Sequence, residues 1–187
     1  PKNGHSNIMI IINKMFEREE TRLRAIRRYG RLTKGFTNLE THYNLFKSYK
    51  FTFSRNPFIR ALSMYRYMIE NKITFFQNQK EGFVDFLRFL KYGGININNH
   101  FKPQSKLLFF SLDDFDFIGK LENFSRDFRI LLDDIGFEIS RELASLIDNK
   151  KNTSHVTHAE KYIIDYYSNE AKNLVIELYK SDFESFD

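Results

Sequence analysis

The sequence predicts an α/β fold: a helix-rich chain with a small parallel sheet flanked by helices. Three observations carry the prediction. Strand candidates are few and short, at 51–53, 107–112 and 115–118. The stretches between them place apolar residues at helical spacing. At 51–68, FTFSRNPFIRALSMYRYM, a strand hands over directly to an amphipathic helix. A length of 187 residues is enough for one domain with a real core, and no internal repeat or linker divides it, so 1–187 reads as a single unit.

The chain opens on Pro1-Lys2-Asn3-Gly4-His5-Ser6-Asn7, a glycine-bearing loop, followed by the apolar stripe Ile8, Ile11, Ile12, Met15 and Phe16. Ser6 or Asn7 is a natural N-cap for that helix. Glu17, Glu19 and Glu20 then give way to a basic run of Arg22, Arg24, Arg27, Arg28, Arg31 and Lys34, which reads as a solvated helix or as an electropositive wall for a polyanion. Residues 35–50, with His42, lead as loop or short helix to the strand at Phe51. Pro57 fits the first turn of a helix and pushes Asn56 into an extended conformation, while Phe58, Leu62, Tyr65 and Ile69 form the apolar face that follows. Residues 71–82 form a turn. Phe83, Phe86, Leu87 and Leu90 mark a helix stopped by Gly93-Gly94. The Asn-rich stretch 95–104 is irregular. Leu107–Leu112 is a continuous apolar run suited to a buried strand, and Phe115–Ile118 is a shorter candidate. Helical spacing returns at 121–132. Residues 149–158, NKKNTSHVTH with His155 and His158, are the most polar and loop-like, and a helix from Glu160 to Phe183, broken near Ser168, completes the pattern.

Two of these segments have the chemistry of an anion site. In the first, backbone N–H groups, a helix dipole, the Lys2 ammonium and the Ser6 hydroxyl converge, as in a phosphate cradle. The lysine precedes the glycine and a second glycine is missing, so it is not a Walker A loop. In the second, Ser63 follows Arg55 by eight residues across the strand-to-helix corner. That spacing suits a guanidinium and a hydroxyl closing on one phosphate, with the helix N-terminus adding donors.

PKNGHSNI resembles the P-K-x-G-x-[ST] loop that binds the 5′-phosphosulfate of phosphoadenosine phosphosulfate (PAPS), and SRNPFIRALS resembles the R-[DN]-P-x-x-R-x-x-S element that binds its 3′-phosphate. Asn99-His100-Phe101-Lys102-Pro103-Gln104 resembles an N-H-[WF]-x-P-Q segment, and FDFIGKLE at 115–122 and Tyr179-Lys180-Ser181-Asp182-Phe183 fit in order. Over nearly its whole length the chain therefore resembles the PAPS-dependent sulfotransferases, in their carbohydrate branch. The resemblance implies a fold similar to a P-loop nucleotide-kinase core, with a strand expected ahead of Pro1 and outside the given sequence. It implies transfer of a sulfuryl group from PAPS to a hydroxyl of a carbohydrate or glycan, leaving adenosine 3′,5′-bisphosphate, with no metal. Lys2, Asn3, Gly4, His5, Ser6, Asn7, Arg55 and Ser63 would hold the nucleotide, and Lys2 would stabilise the leaving oxygen. Arg60 matches the family's second arginine, although at helical spacing it could equally cap or pair with an acid. His5 departs from the small residue usual beside the loop glycine. His42 lies where glycan 2-O-sulfotransferases carry a base, and the unperturbed pKa of histidine suits it to take the acceptor's proton. The glutamates at 17, 19 and 20 are its competitors, and His100 is either structural or acceptor-orienting.

Composition narrows the alternatives. With no cysteine, a disulfide framework, thiol catalysis and Cys-ligated zinc are excluded. A reducing compartment follows most simply, and the Asn, Lys, Ile and Phe richness points to an AT-rich genome, so a bacterial cytoplasmic enzyme is the first expectation and a Golgi-lumen enzyme with a removed N-terminal anchor the second. No apolar run is long enough to span a membrane and no signal peptide is visible. The net charge of +5 draws anions without choosing among nucleotide, anionic glycan, nucleic acid and membrane. Two rival functions stand beside the transferase: an ATP-dependent P-loop kinase, and a non-catalytic module binding nucleic acid or another anion. The first lacks a Walker A order and a clear magnesium-binding acid; nucleic acid is not the expected partner.

Overall fold

The computed structural model of the protein describes residues 48–73, 80–148 and 158–186. The segments expected to form the first loop and helix, the basic run and residues 149–157 of the polar stretch lie outside the described residues. Within them, β1 (Phe51–Ser54) leads into α1 (Pro57–Glu70), and α2 (Lys80–Lys91) follows. An irregular stretch with three short 3-10 turns then reaches β2 (Phe117–Lys120). After a further 3-10 turn come α3 (Phe124–Asp134), α4 (Arg141–Asp148), α5 (Ala159–Tyr166), α6 (Asn169–Leu178) and α7 (Lys180–Phe186). The two strands pair in parallel, Phe51 against Phe117 through to Ser54 against Lys120. The fold is thus helix-rich around a small parallel sheet, in agreement with the α/β expectation.

Asn56 and Pro57 start α1 as the sequence implied. The Asn56 side chain accepts from the amides of Phe58 and Ile59 at 3.0 and 3.3 Å, and Pro57 occupies the first turn, where it gives up no needed donor. The apolar faces of α1 and α2 meet those of α5 and α6 in one core cluster, where the Tyr65 ring lies 5.3 Å from Phe83, 5.7 Å from Phe86 and 6.0 Å from Tyr166. A second cluster packs Phe53 of β1 against Phe128, Leu131 and Leu132 of α3 and Leu143 and Ile147 of α4. Gly119 of β2 belongs to that packing, because a Cβ there would stand 2.5 Å from the Phe53 ring.

Several expectations change. Leu107–Leu112 is not a strand: residues 105–107 and 112–114 form 3-10 turns, and Phe109 is exposed. Its rings pack on one another instead, Phe110 lying 5.1 Å from Phe109 and 6.3 Å from Phe115. A short apolar run does not by its periodicity reveal whether a ladder partner exists. The ladder forms one segment later, where the Asp116 and Phe117 amides both donate to the Lys50 carbonyl. Helix α4 had no assignment, although Ser140, whose Oγ accepts from the Leu143 amide at 3.2 Å, precedes a Leu143, Leu146, Ile147 stripe. The break near Ser168 is present, with Ser168 Oγ capping α6 through the Ala171 amide. A second break at Tyr179 separates α7 and was not foreseen.

Candidate functional site

The corner between β1 and α1 is where backbone pairing runs out. The ladder ends at Ser54, and the helix makes its first bond at the Arg60 amide, which donates to Asn56 O. Arg55 and Asn56 therefore need partners from elsewhere. Gln104 supplies both bonds of Arg55: its Oε1 accepts from the Arg55 amide at 2.9 Å, and its Nε2 donates to the Arg55 carbonyl at 2.8 Å. Glu122 Oε1 accepts from the Asn56 amide at 2.9 Å. Asp182, 1% exposed, holds Gln104 in turn by accepting from its backbone amide at 2.8 Å and from Nε2 at 3.3 Å, while its other oxygen takes the Ser105 amide and hydroxyl, both at 2.8 Å.

Arg60, one helical turn along α1, is also 4% exposed. Among the described residues it neither caps a helix nor pairs with an acid. Its Nη2 donates to the carbonyls of His100 and Lys102 at 3.0 and 2.8 Å, tying the irregular segment to the helix, and Nη1 has no hydrogen-bond partner among the described residues. Burial pulls this guanidinium below its ordinary value, and the neighbouring Asp182 charge opposes that shift. Tyr179, wholly buried, donates its hydroxyl to the Phe101 carbonyl at 3.0 Å, and Tyr167 donates to Phe58 O at 2.7 Å. Burial pushes both phenols well above their usual range, so they remain donors at any ordinary pH.

Beside this scaffold lies a cavity of about 290 Å³. Arg55, Arg60 and Ser63 are among its lining, with Met64, Met68 and Phe101. Ser63 stands three residues beyond Arg60, on the same face of α1. The two residues singled out by their spacing, Arg55 and Ser63, thus line one space. His100 lines it too. The Arg55 guanidinium donates from Nη2 to Glu160 Oε1 at 3.0 Å; its side chain is 15% exposed and that of Glu160 57%. A carboxylate from α5 therefore sits on the fork expected to take a phosphate. One expected contribution is already committed: the first amides of α1 belong to the Asn56 cap, so an anion here would rest on side chains.

Lys2, Asn3, Gly4, His5, Ser6, Asn7 and His42 lie outside the described residues, as do Glu17, Glu19, Glu20 and His155. His158 is described: it precedes α5 in a left-handed conformation, φ 47°. Glu160 was missed, and no local signal marks it, since its partner is 105 positions away. Gln104, Glu122 and Asp182 stood inside motifs whose likeness was visible but whose shared task was not. Among the described residues no three His, Asp or Glu side chains gather as a metal site, and no helix is long and apolar enough to cross a membrane.

No curated protein and no solved structure matches the chain. A family model described as the sulfotransferase family matches residues 2–187. That span takes in the amino-terminal loop from Lys2, the Arg55 corner and every segment that braces it. The chain belongs to the sulfotransferase family.

Proposed function

We propose that the protein moves a sulfuryl group from PAPS to a hydroxyl of a carbohydrate or glycan acceptor and releases adenosine 3′,5′-bisphosphate. Family membership supports sulfuryl transfer in general. The observation that carries the finer reading is the common cavity of Arg55 and Ser63. Their donor set fits a phosphate: a guanidinium that already donates to one oxyanion, Glu160, and a hydroxyl on the same cavity. PAPS would supply the sulfuryl group, activated by its anhydride link to phosphate. In this reading Arg55 and Ser63 hold the 3′-phosphate. The loop Lys2 to Asn7 cradles the phosphosulfate, and the Lys2 ammonium offsets charge gathering on the leaving oxygen. Such transfer asks the protein for placement and electrostatics more than for covalent chemistry. His42 takes the proton of the acceptor hydroxyl, with the glutamates at 17, 19 and 20 as its competitors. The fold that goes with this reading is the P-loop-kinase-like sulfotransferase core.

Calorimetric titration decides between this reading and the kinase. Adenosine 3′,5′-bisphosphate should bind, and Arg55→Ala should weaken it about tenfold or more, the loss expected for a charge-assisted bond. Tighter binding of Mg-ATP, or indifference to Arg55→Ala, would overturn the assignment. A glycan acceptor screen with Lys2→Ala as the inactive control then identifies the hydroxyl.

A further inference from the structure

We propose that Gln104 is a positioning residue for the phosphate-binding arginine, an inference that rests on the reading of Arg55 given above. Gln104 works as one extra strand residue laid against the corner. Its carboxamide gives Arg55 the acceptor and the donor that the sheet no longer provides after Ser54, at 2.9 and 2.8 Å. Among side chains only asparagine and glutamine present both groups on one planar amide. The orientation of that amide is fixed by its neighbours. Nε2 faces the Arg55 carbonyl and the Asp182 carboxylate, so a flipped amide would set Oε1 against two acceptors. Gln104 is 3% exposed and its backbone amide is anchored on the same carboxylate, so it cannot follow a wandering corner. The Cα of Arg55 is thereby fixed from behind while the residue itself lines the cavity.

A merely structural glutamine and a positioning one differ in what they do to two nucleotides. Calorimetry on the full chain should compare adenosine 3′,5′-bisphosphate with adenosine 5′-monophosphate, which lacks the phosphate that Arg55 would hold. Gln104→Leu should weaken the bisphosphate about tenfold and leave the monophosphate unchanged. The double variant with Arg55→Ala should lose no more than Arg55→Ala alone, because the two residues act as one unit. Gln104→Asn, which keeps the amide but withdraws it by one methylene, should follow Gln104→Leu. Leu131→Ala, destabilising at a residue that neither lines the cavity nor bonds to Gln104, should preserve the ratio of the two affinities. Should the Gln104 variants not fold, the unmutated protein still decides: its Gln104 side-chain amide resonances should move with the bisphosphate and stay with the monophosphate. Equal losses for both nucleotides, additive losses in the double variant, or unmoved amide resonances would overturn the positioning role. A wild-type protein that binds the two nucleotides equally would overturn the function reading along with it, whereas a wild-type preference that Gln104→Leu leaves intact overturns this inference alone.

Discussion

Arg55 shows most clearly what a single residue is asked to do. Its guanidinium carries Glu160 at 3.0 Å, yet a pair with one partner 57% exposed contributes little stability, since solvent screens it and ordering two long side chains costs entropy. Any phosphate arriving at the fork meets the like charge of that carboxylate. Glu160→Gln should therefore tighten adenosine 3′,5′-bisphosphate severalfold while moving the melting temperature hardly at all; calorimetry and a thermal melt check both halves, and weaker binding in the variant would show Glu160 to be part of the site. At this scale the sequence was legible where chemistry is local. Arg55 and Ser63 stand eight positions apart, so their place along one cavity could be argued from strand and helix geometry alone. Glu160 could not be found that way, because nothing near it in the chain distinguishes it from any exposed glutamate.

The elements that carry the site depend on short signals at their ends. Helix α1 begins on Asn56, whose Oδ1 takes two amides, and Asn56→Ala should cost about 1 kcal/mol, read as a drop in melting temperature, whereas Asn56→Asp keeps the acceptor and most of the stability. Strands were harder to read than helices. Leu107–Leu112 has the composition of a buried strand and becomes turns, while the true partner of β1 begins at Phe117, inside a segment expected to hold a shorter one. Pairing belongs to two segments at once, and neither shows it alone. Helices α1, α2 and α3 announced themselves through 3.6-residue spacing because each buries one stripe whatever its partner. Helix α4, eight residues long, offered too few repeats of that spacing to stand out.

At the scale of the molecule, the two core clusters share few elements: one joins α1, α2, α5 and α6, and the other joins the sheet to α3 and α4. The continuous passage from β1 into α1 links them, as do the side chains that clasp the corner. If 1–187 is one domain, a cavity in either cluster lowers a single transition. Leu87→Ala and Leu131→Ala, at sites 0% and 2% exposed, should each cost about 2–5 kcal/mol and shift one cooperative melt. Two separable transitions would mean that the clusters fold independently. The fold class was legible because helices dominate it; which segments would converge on Arg55 was not, because that convergence spans the described chain.

The Asp182 carboxylate that seats Gln104 lies 78 residues beyond it. On the ribosome, strand, arginine and helix emerge long before α7 does, and domains settle as units when their later segments appear. A nascent chain halted before Asp182 already displays the Arg55 motif but lacks the bolt behind it, so the corner is locked only once α7 has been made and not with the arginine itself.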